Sequence, residues 1–281
     1  MATLGSSSAH LNEHQVLRQH QVAQSFVRER VMNAGTTTFR WLDLGVGRGQ
    51  ILVNLSDTLS SGCRQKIHFV GFDAKGAHCR EAERIASTQN LGSVRFHVGN
   101  LDAIADEPQL TGAWDFITLT NVIHELNPHA IPKLLVECLR RLAHDGCLFV
   151  YDMESLSPLE LGAVTWKRDE IRALLKTIMR CLGVDAEPEV AKWPHASCDC
   201  WEIQLRPAAV GFPSDWKNRG DDAINEANDT IRAILKTKME QIKDMLEILT
   251  RDAPQTPEEV AQRDQYLFDF WAVSRKLGGQ P

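Results

Sequence analysis

The sequence predicts an α/β fold: a seven-stranded, mostly parallel, doubly wound sheet with helices on both faces, plus an N-terminal helix and a C-terminal helical hairpin. Three observations predict it. Between Phe39 and Tyr151 short apolar runs alternate with longer amphipathic stretches, the pattern of a parallel sheet covered on both faces. Gly45, Gly47 and Gly49 mark the exit from the first run. After Arg206 the alternation stops, and apolar residues recur only at helical spacing.

The elements follow in order. Residues 14–32 set Val16, Val22, Phe26 and Val27 among polar residues in a helical rhythm, behind a Gly- and Ser-rich tail at 5–8 with the composition of a disordered segment. Candidate strands lie at 41–44, 67–72, 94–98, 116–119 and 147–151, and candidate helices at 49–59, 77–89 and 131–143. Ser157-Pro158-Leu159-Glu160 reads as a capping box that starts a short helix. In the next helix Ile171, Leu174, Leu175, Ile178, Met179 and Leu182 share one face, and Gly183 stops it. Residues 189–206 supply two more strands around a loop at Pro194, which completes seven. Two helices, 221–251 and 257–277, meet at Pro254 and the capping box Thr256-Pro257-Glu258-Glu259. Leu235, Met239, Ile242, Leu246 and Leu249 form a two-heptad seam, expected to pack on Tyr266, Phe270 and Trp271 of the same hairpin, with a homodimer through these helices as the alternative. The expected organisation is a tail and helix at 1–38, a core at 39–207 and a helical extension at 208–281.

Composition excludes several classes. With 31 Lys and Arg against 37 Asp and Glu, the net charge of -6 opposes a whole-protein grip on a phosphate backbone. No stretch reaches the ~18 apolar residues of a membrane helix, and the first fifteen residues lack the pattern of a secretory signal. The expectation is a cytoplasmic protein. Cys63, Cys79, Cys138, Cys147 and Cys181 lie inside apolar patterns and read as buried thiols.

The chemistry is concentrated at strand ends. In Trp41-Leu42-Asp43-Leu44-Gly45-Val46-Gly47-Arg48-Gly49-Gln50 the glycines let the backbone turn tightly and approach a ligand. The dinucleotide fingerprint wants a glycine at position 50 to pack helix on strand, and Gln50 stands there. Asp43 suits a ligand that carries a cation better than a pyrophosphate. Asp73 ends the second run, where it can accept both hydroxyls of a ribose. Gly99-Asn100-Leu101-Asp102 offers an amide or carboxylate to an adenine edge.

In these motifs, and in their order, the chain resembles the class I, Rossmann-like S-adenosylmethionine-dependent methyltransferases over about residues 39–206. The segment 43–49 resembles that family's first motif, Asp73 its ribose-binding acid and Gly99-Asn100 its adenine-contacting turn. Trp114-Asp115-Phe116-Ile117, running into Thr120-Asn121-Val122-Ile123-His124-Glu125-Leu126, resembles its fourth-strand motif. The resemblance implies S-adenosyl-L-methionine as cofactor, held by Asp43, Gly45, Gly47, Gly49, Asp73, Asn100, Leu101 and Asn121, and a seventh strand antiparallel to the sixth. Many members carry Asp where Asn100 stands.

Methyl transfer from a sulfonium is an in-line displacement, and a base helps only where the acceptor must shed a proton. Candidate bases are His124 and Glu125 after the fourth strand, and Asp152 and Glu154 after the fifth. No metal is expected: His124 and His129 are five residues apart with Pro128 between them, and His195, Cys198 and Cys200 lack a fourth ligand at motif spacing. Cys198 and Cys200 read as packed strand cysteines. Trp166, Trp193 and His195 are expected to wall the acceptor side. The preferred acceptor is a small molecule. A protein or nucleic-acid acceptor, an NAD-dependent oxidoreductase and a non-catalytic interaction module are the alternatives.

Overall fold

A computed structural model describes residues 17–33, 38–107, 110–156, 160, 162–194, 198–251 and 256–278. The tail at 5–8, the capping box at 157–159, Pro254 and His195 lie outside the described residues. Seven strands form one sheet in the order β3-β2-β1-β4-β5-β7-β6. They are β1 (Phe39–Leu44), β2 (Ile67–Asp73), β3 (Ser93–Val98), β4 (Trp114–Thr120), β5 (Leu142–Met153), β6 (Ala191–Pro194) and β7 (Asp199–Leu205). The first five pair in parallel, and β6 pairs antiparallel with β7. Because the order reverses between β1 and β4, the ends of β1, β2, β3 and β4 open at one sheet edge around a topological switch point.

The helices are α1 (Arg18–Asn33), α2 (Leu55–Thr58), α3 (Ser61–Arg64), α4 (Gly76–Thr88), α5 (Ile131–Arg140), α6 (Arg168–Cys181), α7 (Pro207–Val210), α8 (Gly220–Arg251) and α9 (Pro257–Lys276). The continuous helix predicted over 49–59 is absent. A 3-10 turn at Gln50–Leu52 and the single turn α2 replace it, because Gly49 and Asn54 adopt left-handed backbone, with φ of 81° and 61°, and neither can continue a right-handed helix. The helix predicted over 131–143 ends at Arg140, since β5 starts early to pair Leu142 with Trp114.

The described residues fall into two compact units. The first comprises the chain up to Asn121, with Arg141–Tyr151 and Gln204–Pro207. Its core is aromatic: Trp41, Phe69 and Phe116 are fully buried, and Phe26 of α1 stacks on Phe116 at 4.4 Å. Buried Gln24 on the same helix donates from Nε2 to the carbonyls of Ile51 and Val53, at 2.8 and 2.9 Å. It satisfies acceptors that the short turns leave open, and so ties α1 to the segment behind the glycines.

The second unit comprises Val122–Arg140, Asp152–Ile203 and Ala208–Pro281. The predicted face of α6 is buried, and α8 packs on it with Ala223, Ala227, Ile231 and Leu235. Only part of the heptad seam is buried. Leu235, Met239 and Ile242 are inside, while Leu246 and Leu249 are half-buried. Packing of α8 on α5 and α6, as well as on α9, takes up the seam's first half, so the hairpin does not bury it alone. Trp166 is core rather than wall: it is 1% exposed, and its carbonyl accepts from Trp201 Nε1 at 2.8 Å. None of the seven cysteines forms a disulfide. Cys63 and Cys181 are half-buried, not buried, because each sits at the edge of its helix pattern.

Candidate active site

In the first unit the glycine loop is built around Asp73. Gly45, Gly47 and Gly49 all have positive φ, of 76°, 51° and 81°. Gly45 N–H and Val46 N–H both donate to the carbonyl of Phe72, which brings the loop against the end of β2. Asp73 then accepts from Gly47 N–H at 2.9 Å and Lys75 N–H at 2.8 Å, and His78 Nδ1 lies 3.3 Å away. A carboxylate offers about four acceptor positions, so one remains for a ligand hydroxyl.

The loop glycines divide their work. A Cβ at Gly49 would sit 2.7 Å from Ala82 Cα, so Gly49 packs the loop on α4 and does what the dinucleotide fingerprint asks of position 50. A Cβ at Gly47 would meet nothing within 4 Å. Open space therefore lies in front of the loop.

Asp43 is 2% exposed and accepts from Thr118 Oγ1 at 2.6 Å. Burial pushes its carboxyl up to about 7, Thr118 opposes the rise and the charge of Asp73 adds to it. Asn100 is exposed and uses Oδ1 to cap the turn at Leu101–Asp106, accepting from Asp102 N–H at 3.0 Å. Leu101 is buried beside it. Asn121 has φ of 57° and ties its N–H to Tyr151 O at 2.9 Å. Asn121 Oδ1 and Asp102 Oδ1 are buried without a partner among the described residues. Orphaned acceptors at the tips of β4 and β3, together with the open space at Gly47, fit a ligand bearing hydroxyl, amine and cationic groups.

The second unit holds His124, 2% exposed. Its Nδ1 is 2.6 Å from Asp152 Oδ1, and its own N–H donates to Asp152 Oδ2 at 3.1 Å, which fixes the ring. Nε2 is 3.3 Å from Glu160 Oε2. Burial alone would lower the His124 pKa, but the hydrogen bonds and charges of Asp152 and Glu160 outweigh it and raise it to about 10. Exposed Glu125 joins this group: one ligand atom each from His124, Glu125 and Glu160 lie within 4.8 Å of one another. Glu154 stands apart from it and donates its N–H to Asp199 O.

A cavity of about 730 Å³ lies wholly within the second unit. The segment around Glu154, Glu160 and Thr165 lines one side, and Lys238 of α8 and Asp269 of α9 line the other. Glu160 thus touches both His124 and the cavity. Thr118, Gln24 and Glu160 are the site residues that sequence reasoning did not place in their roles. Glu160 follows Glu125 by thirty-five residues and reads from the sequence only as the last residue of a capping box.

Residues 42–146 match the family model described as a methyltransferase domain. No curated protein sequence matches the chain. Among solved structures, the CMeT domain of the citrinin polyketide synthase is 19% identical, with a TM-score of 0.49 over 66% of this chain and 52% of that one. The chain thus spans about half the length of that structure. Magnesium protoporphyrin IX methyltransferase (ChlM) from Synechocystis PCC 6803, with bound SAH, is 16% identical, with a TM-score of 0.45 over 66% of this chain and 81% of that one. An rRNA methylase from Streptococcus thermophilus is 11% identical, with a TM-score of 0.45 over 68% and 98%. The family match spans the glycine loop, Asp73 and the β4 tip within a sheet of the predicted order, so that over residues 42–146 the chain is similar to a methyltransferase domain.

Proposed function

We propose that this protein transfers a methyl group from S-adenosyl-L-methionine to a small-molecule acceptor. The observation that carries the reading is the glycine loop pinned by Asp73, with open space at Gly47 and orphaned acceptors on Asn121 and Asp102. Asp43 would hold the cofactor's ammonium group, Asp73 its ribose, and Asn100, Leu101 and Asp102 its adenine, while Asn121 Oδ1 would take a further donor. When bound, the cofactor supplies an electrophilic methyl group on a sulfonium.

Glu160, the contact of His124, opens into the cavity, which supports the cavity as the acceptor site. Between Asp152 and Glu160 the ring holds its proton, and at neutral pH it is no base. As an acceptor hydroxyl or amine takes the place of Glu160 at Nε2, Glu160 carries the Nε2 proton away and releases it to solvent, which leaves the imidazole neutral. The neutral imidazole then accepts the acceptor's proton, and Asp152 steadies the imidazolium that forms. Glu125 contributes a second carboxylate at the same point. Orientation of the acceptor supplies most of the rate.

Calorimetry with S-adenosylmethionine on wild type, Asp73→Ala and Gly47→Arg tests the cofactor half, and binding is expected in wild type alone. Incubation of a small-molecule extract with methyl-labelled cofactor tests the other half. A labelled small molecule absent from the Gly47→Arg control is expected; label found only on protein or RNA would overturn the acceptor class.

A further inference from the structure

The charges that line the second-unit cavity cancel, with one exception. Lys238 is held by Glu170 at 2.7 Å. Glu160 meets the His124 imidazolium at 3.3 Å. Glu154 and Lys167, one of each sign, line both this cavity and a smaller neighbouring cleft. Asp269 is left over. It is half-buried on α9, accepts from Gln265 Nε2 at 2.9 Å, and makes no ion pair among the described residues. Lys238 acts on it only at longer range.

An uncompensated carboxylate in a half-buried position is costly, and a ligand cation relieves that cost. Burial pushes the Asp269 carboxyl above the usual range, which is the same cost seen in its proton affinity. Around it apolar Val164, Ile242, Met245 and Val273 share the lining with polar Gln241, Gln262 and Gln265. The volume of about 730 Å³ suits a drug-sized molecule.

We propose that Asp269 anchors a cationic group, so that the cavity takes small molecules in which an apolar or aromatic body carries a protonated amine. That such a molecule is the methyl acceptor rests on the function proposed above; that it binds does not. The discriminating probes are dansylcadaverine, a fluorophore ending in an ammonium group, and dansyl-6-aminohexanoate, a similar fluorophore ending in a carboxylate.

Fluorescence titration of the full chain at pH 7, without cofactor, is expected to show the amine binding at least tenfold more tightly than the acid. The isosteric Asp269→Asn is expected to abolish that preference by weakening the amine alone. Met245→Trp, which fills the cavity from a half-buried position on α8, is expected to weaken both probes while thermal unfolding stays cooperative. Equal affinities, a preference for the acid, no binding of either probe, or a preference that survives Asp269→Asn would overturn the proposal. Asp73→Ala separates the two readings: it abolishes cofactor binding, and the amine preference is expected to persist. Amine binding with no labelled product would sink the methylation reading and leave the anchor standing.

Discussion

Asp43 shows how a buried charge ties ligand affinity to pH. With its carboxyl raised to about 7, a proton must leave before it can face a cationic ligand group. Cofactor affinity is therefore expected to weaken as pH falls below about 7, approaching tenfold per unit, and Asp43→Asn should flatten that slope. Calorimetry between pH 5.5 and 8.5 measures it, and a slope that survives in the variant would contradict the assignment. His124 gives a second pH effect. A base works only when deprotonated, so turnover should rise with pH through its pKa. Glu160→Gln removes one of the groups that raise this pKa, and the limb is expected to move to lower pH. His20 gives a third, on stability. It is buried, its Nδ1 has no partner among the described residues, and burial lowers its pKa to about 4. The unfolded chain takes up this proton near 6.5 and the folded chain only near 4, so the contribution is present above 6.5 and is lost as pH falls between the two. The loss is about 3 kcal/mol at most. Urea unfolding of His20→Gln should show a shallower acid limb than wild type.

At the scale of elements, the loop between β1 and α4 separates two kinds of glycine. Gly49→Ala sets a methyl group 2.7 Å from Ala82 Cα at a φ of 81°, and is expected to cost about 2 kcal/mol or more of stability. Gly47→Ala meets open space at a φ of 51° and is expected to cost about 1 kcal/mol, while weakening cofactor binding more than it weakens the fold. Denaturant unfolding and calorimetry on both variants check the contrast. The strands of this region were legible because apolar runs of β length alternate with polar breaks. The helix at 49–59 was misread because Ile51, Leu52, Leu55 and Leu59 carry helical spacing, and the sequence does not disclose that Asn54 turns left-handed. Gln24 could not be read either, since a glutamine earns its place on α1 only through carbonyls 27 and 29 residues away.

At the scale of the molecule, the C-terminal helices complete the second unit. α8 packs on α6, whose Ile171, Leu174, Leu175 and Ile178 are buried, and Arg180 pairs with Glu226 at 2.6 Å. Truncation after Pro213 is expected to bare that face and to give aggregates on light scattering; a soluble, active, monomeric truncation would contradict it. Since the seam is buried within the chain as far as Ile242, the intact protein is expected not to dimerise through that part. Among the described residues, no helix is long and apolar enough to cross a membrane.

The sequence by itself determined the strand order of events along the chain, the glycine loop, the acid at the second strand tip and the helical C-terminus. Each rests on local periodicity or on a residue type that only one backbone geometry tolerates. Tertiary structure alone decided that Gly49 rather than position 50 packs the loop, that Trp166 is core, and that Glu160 reaches His124. It also brought Asp269 to a cavity whose other charges are matched. These depend on which side chains meet across long stretches of chain. A carboxylate's role there is set by its burial and neighbours, and neither is a property of its own segment.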